Sequence, residues 1–298
     1  MMTDPAAVGR ADRRALAALL LGACCIGFSP IFVRLSEIGP VATAFHRVLL
    51  ALPLFGLLLA GQPAPAAAAL PRRVWLAVAA SGVCLAGDLA LWHLALAHIS
   101  VVNATLLANL APVFVTVAAW LWFGERISTR FLGGLALAIA GVGALVLGGA
   151  ARPSATDGRT LLGVVQALAA AAFYAGYILA IKRVRHSLPV GRAMLASGAA
   201  SALALLPLVF AFGEPLFASS VYGWSVLLGL AWVSQGAGQG CIAYGLARLP
   251  ASFSSLTLLV QPVVAALLAW WLFAEALSGV QALGALGVLA GIRLAGRR

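Results

Sequence analysis

The chain has 298 residues, a length that would give one or two domains in a soluble protein. Its composition excludes that class, because 63% of the residues are hydrophobic and 9% are charged, against about 25% charged residues in soluble domains. Such a chain cannot cover a water-facing surface, so its solvent must be lipid. The net charge of +11 comes from basic residues that flank apolar segments, and we expect no nucleic-acid partner.

Ten apolar segments follow one another along the chain, each close to the roughly 20 residues that a membrane-spanning helix needs. Strands at this spacing would leave backbone groups unpaired in lipid, so the segments must be helices. The sequence therefore predicts an all-α polytopic membrane protein with ten transmembrane helices. The predicted spans are 15–34, 40–60, 74–97, 101–122, 130–148, 160–181, 190–212, 222–247, 251–273 and 279–296.

The basic residues orient these spans. With a cytoplasmic N-terminus, most of the 19 lysines and arginines fall on the cytoplasmic side, and Arg34, Arg152 and Arg159 fall on the other. The positive-inside rule then predicts that both termini are cytoplasmic. The four cysteines lie in apolar stretches without CxxC spacing, so we expect neither disulfides nor a metal site. No nucleotide-binding motif occurs, and we expect no cofactor.

An internal repeat appears when the sequence is shifted by 150 residues. Pro112-Val113 then matches Pro262-Val263, and the glutamate Glu125 matches Glu275. We take 1–150 and 151–298 as two five-helix repeats that form one functional unit. Because five is odd, the second repeat must run opposite to the first, and inverted repeats are typical of secondary transporters.

The motif Trp-x-x-Phe-x-Glu-x-x-Ser occurs at 120–128 and again at 270–278, before a glycine-rich last helix in each repeat. This pattern resembles the EamA-type repeat, two copies of which form the ten-helix permeases of the drug/metabolite transporter superfamily. Within that superfamily the chain is similar to amino-acid exporters of the YddG type. The resemblance implies a central cavity lined mainly by helices 1, 3, 4, 6, 8 and 9, with helices 5 and 10 peripheral.

Asp88 is the acidic residue that falls inside a predicted span, about midway along helix 3. A charge at that depth is costly and marks a functional site by default. Trp92 lies one helical turn further on the same face, where the pair can cradle a substrate ammonium by charge and cation–π attraction. His93 follows, further round the helix. The alternatives are a carboxylate that ties helices together, an interfacial tryptophan and a core histidine.

Further polar side chains lie on other predicted cavity helices and favour a neutral or zwitterionic substrate over a phosphate. The alternative for each of these side chains is a structural role, in which it forms a hydrogen bond between two helices. These candidates for substrate binding are Asn109, Tyr174, Tyr177, Trp232, Gln235 and Gln239.

Arg47, in the outer third of helix 2, can receive a substrate carboxylate, reach the headgroups, or take a structural or gating role, which we favour. Pro112 and Pro262 fall at matching depths in helices 4 and 9. Each proline should leave the carbonyl four residues earlier without its helical hydrogen bond. The two prolines are suited to act as hinges or as static kinks that shape the cavity.

Two further features predict packing and surface contacts. Glu125 and Glu275 should lie on opposite membrane surfaces, as caps or as partners of charges such as Arg126 or Arg130. The glycine rows Gly134/Gly141 and Gly287/Gly291 predict faces on which helices pack closely. Such faces also allow two copies of the chain to form a dimer.

Together these features predict a secondary transporter that exports small organic solutes across the bacterial inner membrane by alternating access. We expect the solutes to be neutral or aromatic amino acids. Its partners are then a small-molecule substrate and the lipid bilayer, and we expect a monomer. One alternative is an exporter of other metabolites or drugs. Another is a membrane-embedded enzyme, against which the dispersal of Asp88, His93 and His46 argues.

Overall fold

The computed structural model describes residues 5–59, 71–96, 98–99, 101–147, 158–273 and 277–296. Within these ranges the chain is helical and contains no strand. The helices are α1 (Pro5–Gly27), α2 (Ser29–Leu35), α3 (Pro40–Leu49), α4 (Leu52–Leu57), α5 (Arg72–Leu96), α6 (Val101–Ala108), α7 (Ala111–Phe123), α8 (Thr129–Leu147), α9 (Gly158–Arg185), α10 (Val190–Ala211), α11 (Val221–Gly229), a π-helical stretch (Leu230–Gln239), α12 (Gly240–Leu246), α13 (Ala251–Thr257), α14 (Val260–Phe273) and α15 (Gly279–Gly296).

Nine helical stretches in the described part of the chain are long and apolar enough to cross a membrane. The all-α, multi-pass prediction is therefore confirmed for these residues. The fourth predicted span, 101–122, is helical as α6 and α7, but its apolar part, Leu106–Trp122, is shorter than the other nine. The nine stretches are Arg13–Leu35, Pro40–Leu57, Arg72–Trp92, Thr129–Leu147, Thr160–Arg185, Val190–Ala211, Val221–Leu246, Ala251–Leu272 and Gly279–Gly296.

Prolines explain why several spans consist of two helices. Pro30, Pro53, Pro112 and Pro262 each lie within the first three residues of the second helix of a span. A proline there lacks the N–H that would continue the preceding helix, so the helix breaks and restarts.

The break before Pro262 differs from the sequence prediction in one detail. The carbonyl of Leu258 is not freed, because it accepts a hydrogen bond from the Gln261 N–H at 2.9 Å. The chain thus takes a tight turn between α13 and α14, which bends the span without leaving that carbonyl unpaired.

Glycines let α8 and α15 approach at backbone distance. A Cβ at Gly134 would lie 2.5 Å from the carbonyl oxygen of Gly291, and one at Gly141 would lie 2.6 Å from that of Gly284. The predicted glycine rows therefore pack against each other within the chain. Outward-facing side chains such as Leu203 and Leu161, which are 72% and 68% exposed, are typical of a surface that faces lipid.

Two copies of the tripeptide Phe-Gly-Glu, at 123–125 and 212–214, end helices and cap others. Gly124 and Gly213 both have φ of +63°, a left-handed conformation that glycine adopts without strain. The glutamates that follow bind the starts of distant helices: Glu214 Oε2 accepts the Ala42 N–H at 2.7 Å, and Glu125 binds the start of α13. Carboxylates at these positions complement the partial positive charge of a helix N-terminus.

Glu125 accepts hydrogen bonds from the N–H groups of Ala251 (2.7 Å) and Ser252 (3.2 Å) and from the Ser252 hydroxyl (2.5 Å). Its salt bridge is with Lys182 of α9, at 3.4 Å. The prediction that Glu125 caps a helix is confirmed, but Arg126 and Arg130 are not its partners. Burial raises the pKa of the Glu125 carboxyl, and these donors outweigh that effect and hold the pKa below its usual value. Glu275 lies outside the described residues.

Candidate functional site

A cavity of about 220 Å³ lies among the spans. Its wall is mostly aliphatic and is contributed by α1, α2, α3, α5, α6, α7, α9, α13, α14 and the π-helical stretch. No lining residue comes from α8 or α15. Nine lining side chains carry polar groups, namely Ser29, Arg47, Asp88, Trp92, Asn109, Tyr174, Gln239, Ser255 and Gln261.

The cavity brings together two side chains of opposite charge, Arg47 and Asp88. Asp88 is half-buried on α5. Among the described residues no hydrogen bond or salt bridge reaches its carboxylate, while Arg47 stands on the same cavity wall. A carboxyl group that lines an apolar cavity without a hydrogen bond is a site for a charged or hydrogen-bonding ligand.

Arg47 is held in place by two residues that do not carry charge. It is 8% exposed, its Nε donates to Gln235 Oε1 at 3.1 Å, and its Nη1 donates to Ser29 Oγ at 3.0 Å. These contacts fix the guanidinium toward the interior, so Arg47 does not reach the headgroups. The remaining edge of the fork can bind a ligand carboxylate.

The π-helical stretch separates Gln235 from Gln239, two of the predicted substrate-binding residues. In a π-helix the hydrogen bonds run from residue i to i+5, which widens the turn and often marks a functional site. Gln239 lines the cavity, whereas Gln235 is 1% exposed and lies behind it against Arg47. Gln235 is thus a support for Arg47 and is not part of the lining.

Tyr174 and Tyr177 are stacked, with ring centroids 6.0 Å apart and an interplanar angle of 22°. Tyr174 lines the cavity, but Tyr177 is fully buried and donates its hydroxyl proton to Gln239 Oε1 at 3.3 Å. Tyr177 therefore orients Gln239, and the predicted direct contact with substrate does not fit its position.

Trp232 lies away from the cavity. Its side chain is 53% exposed on the outer surface of the fold, and its Nε1 donates to the carbonyl of Leu50 at 3.2 Å. This combination of an exposed ring and a satisfied indole N–H suits contact with lipid. The side chain of His93 lies outside the described residues.

Of the remaining predicted residues, Trp92, Asn109, Pro112 and Pro262 line the cavity. His46 does not: it is 3% exposed, its Nδ1 lies 2.9 Å from the Ala42 carbonyl, and its ring meets Trp224 edge-on. The described residues contain no group of histidine, cysteine and acidic side chains that could hold a metal ion.

Sequence reasoning missed three polar lining residues: Ser29, Ser255 and Gln261. Ser29 and Gln261 each directly precede a proline inside a span, and this pairing was the available signal. A proline opens the helix at that point, so the polar residue beside it lies at the kink where the wall turns toward the cavity. Ser255 has no comparable signal.

These features define a multi-pass helical membrane protein with a cavity among its spans. The family profile described as the EamA-like transporter family matches residues 13–147 and again 161–297, and the chain belongs to that family. This membership indicates a transporter rather than an enzyme.

Two individual proteins show how far the likeness extends. An uncharacterized transporter from Archaeoglobus fulgidus is 25% identical over 288 residues, which is 97% of this chain and 98% of the relative. A solved crystal structure is similar with a TM-score of 0.79 and 20% sequence identity, covering 97% of this chain and 96% of the other. At that identity the second likeness concerns the fold alone.

Proposed function

We propose that the chain is a secondary transporter that exports neutral or aromatic amino acids across the bacterial inner membrane. One observation carries the proposal: the unpartnered carboxylate of Asp88 and the anchored guanidinium of Arg47 line the same mostly apolar cavity. A free amino acid offers a complementary ammonium, carboxylate and apolar side chain. Asp88 binds the ammonium, Arg47 the carboxylate, and the aliphatic wall with Trp92 the side chain.

The transporter works by alternating access between two inverted five-helix repeats, with ten spans in all. The match of the family profile to both halves of the chain supports this arrangement, as does the 150-residue repeat. Inverted repeats supply equivalent inward-open and outward-open states of one cavity. Pro112 and Pro262, at the breaks in two spans that line the cavity, act as the hinges, and Arg47 orders the site as it closes.

The Glu125 contacts close the cytoplasmic end of the pathway in the conformation described here. They join the loop before α8 to α9 and to the start of α13, and Lys182 also donates to the Leu249 carbonyl at 2.9 Å. Because α9 and α13 both contribute to the cavity wall, opening toward the cytoplasm requires these contacts to break. Both termini are cytoplasmic, as the basic residues predict.

The test is counterflow in proteoliposomes that contain the purified protein. Unlabelled compounds compete with labelled phenylalanine: leucine, phenethylamine (which lacks the carboxylate) and phenylpropionate (which lacks the ammonium). We expect saturable exchange of phenylalanine, strong competition by leucine, and weaker competition by both analogues. Folded protein that exchanges no amino acid would overturn the proposal and leave metabolites or drugs as the substrates to try.

A further inference from the structure

A second cavity, of about 200 Å³, lies away from the central one, where α5 begins and α9 ends. We call it the basic pocket. Three of its side chains can carry positive charge and one is a hydroxyl, and none of its residues lines the central cavity. Its lining is Arg73, Val74, Arg183, His186 and Ser187.

Local structure places these groups together. Helix α5 begins directly after Pro71, and Arg73 lies in its first turn. Arg183 lies in the last turn of α9. The chain then turns back on itself, with the His186 N–H donating to the Arg183 carbonyl at 3.2 Å and the Ser187 N–H to that of Val184 at 3.0 Å. Because α5 packs along α9, the start of one helix and the turn after the other form a single concave surface.

The pocket has an excess of positive charge that nearby residues do not neutralise. In the described part of the chain, no hydrogen bond or salt bridge engages the side chains of Arg73 and Arg183. The segment 60–70, which precedes α5, contains no acidic residue, and neither does α9. The acid on α5 is Asp88, 15 residues beyond Arg73 and so about 22 Å along the helix.

The other acids within the described ranges have partners elsewhere or lie on other elements. Glu125 and Glu214 cap α13 and α3, and Glu37 accepts hydrogen bonds from Ser219 and Ser220 beside α11. Asp12 is on α1, which packs against α12, α14 and the π-helical stretch. No acid whose side chain the structure describes supplies a counter-charge to the basic pocket, and an anionic ligand can supply it.

The chemistry of the pocket fits a phosphate group. Two guanidinium forks with a hydroxyl and an imidazole offer several donors to one tetrahedral anion, and the N-terminus of α5 adds its partial positive charge.

The surface beside the pocket indicates where the phosphate comes from. Leu76 lies three residues after Arg73 on the same face of α5 and is 59% exposed, so an apolar surface lies beside the pocket. The orientation predicted from the basic residues puts this end in the cytoplasmic leaflet, where anionic phospholipids attract arginines. We propose that the basic pocket binds the phosphate of an anionic phospholipid, whose acyl chains lie along the exposed face of α5 at Leu76.

The test compares two pairs of arginines with the same change in charge. Arg73→Gln/Arg183→Gln removes the pocket, and Arg126→Gln/Arg130→Gln removes two exposed arginines outside it. Phosphatidylglycerol, phosphatidylcholine and inorganic phosphate are each titrated into the purified protein in detergent. Binding is read by native mass spectrometry and by the shift in thermal unfolding. Gel filtration and the unfolding midpoint in phosphatidylcholine check that each variant is folded.

We expect phosphatidylglycerol to bind wild type more tightly than phosphatidylcholine. The pocket variant should lose about fivefold in affinity for phosphatidylglycerol per arginine, and the control pair should bind like wild type. Arg73→Lys/Arg183→Lys, which keeps charge without the fork, should fall between them. Equal losses of affinity in Arg73→Gln/Arg183→Gln and Arg126→Gln/Arg130→Gln would overturn the proposal, because they would show that surface charge in general attracts the lipid. If inorganic phosphate binds as tightly as phosphatidylglycerol, the proposal that the bound phosphate belongs to a lipid is overturned.

Discussion

Arg47 and Gln235 join α3 to the π-helical stretch through a hydrogen bond of 3.1 Å between the Arg47 Nε and the Gln235 Oε1. The two residues are 188 positions apart in the sequence and both are buried. The bond fixes the orientation of Arg47 in the cavity wall, so the free edge of its guanidinium faces the ligand space. It also couples a helix of the first half of the chain to one of the second.

Replacing Gln235 with leucine should destabilise the protein and weaken substrate binding. The Arg47 Nε–H would lose its acceptor in a buried place, which costs about 1–3 kcal/mol, and the guanidinium would lose its orientation. Thermal unfolding in detergent and the KM for counterflow measure the two effects. Trp232→Phe is the matched control, because it also removes one hydrogen bond from the π-helical stretch but at an exposed site. Equal effects of both variants would contradict the role given to Gln235.

Tyr177→Phe should reduce transport mildly without unfolding the protein. The hydroxyl is lost from a fully buried side chain, and Gln239 then loses the donor that orients its amide in the cavity. We expect a stability loss of about 1 kcal/mol and a raised KM with an unchanged maximal rate. Tyr222→Phe, at a ring that is 56% exposed, provides the control. A Tyr177→Phe variant with the wild-type KM would show that Gln239 needs no such orientation.

Glu125→Gln should weaken the closure at the cytoplasmic end by about 1–2 kcal/mol, the usual value of a helix cap. The measurement is the reactivity of an introduced Ser255→Cys in the cavity wall toward a membrane-impermeant thiol reagent added from the cytoplasmic side, in a background where Cys24, Cys25, Cys84 and Cys241 are serine. We expect faster labelling in Glu125→Gln than with Glu125 intact. Identical labelling rates would contradict the closure.

The same carboxylate predicts a pH dependence of stability. The pKa of Glu125 in the folded protein is lower than its ordinary value of 4.5, so its contribution is fully present above pH 4.5 and is lost as the pH falls through the lowered pKa. The unfolding temperature of wild type should therefore fall as the pH is lowered below 4.5, and the fall should be shallower in Glu125→Gln. Parallel curves for the two proteins would place the acid sensitivity elsewhere.

Gly134→Ala should destabilise the pair of α8 and α15, whereas the neighbouring Gly133→Ala should not. A Cβ at 134 would lie 2.5 Å from a backbone oxygen of α15, but at 133 the nearest atom is Leu294 Cδ2 at 3.9 Å. Overpacking of this kind costs about 1–3 kcal/mol. The two unfolding midpoints in detergent measure the difference. Since neither position lines the cavity, the KM of both variants should match wild type.

The spans and their cavity side chains were predictable to different degrees. Apolar length alone predicted the helices, because lipid leaves no other choice for backbone hydrogen bonds. Asp88, Trp92 and Arg47 were predictable as cavity residues because charge and indole groups inside a span demand a special environment. The turn at Gln261 and the π-helical stretch depend on how several helices pack, and no single-residue signal reveals them.

Spacing along a regular helix misplaced Gln235, Tyr177 and Trp232. An α-helical wheel puts Gln235 and Gln239 on one face, but the wider π turn moves Gln235 behind the wall against Arg47. Tyr177 is one turn from Tyr174, and yet stacking turns its hydroxyl toward Gln239. Trp232 was predicted to bind substrate or to form a hydrogen bond between helices, and its bond to the Leu50 carbonyl fits the second alternative.

Counterflow of labelled phenylalanine by Asp88→Asn shows whether the Asp88 carboxylate binds the substrate ammonium. Asparagine keeps the size of the side chain and removes the charge that binds the ammonium, a charge-assisted contact worth about tenfold or more in affinity. We predict a KM for phenylalanine at least about tenfold higher in Asp88→Asn, with competition by phenylpropionate unchanged. Glu37→Gln, at a carboxylate outside the cavity, should behave like wild type. Wild-type counterflow of phenylalanine by Asp88→Asn would contradict the account.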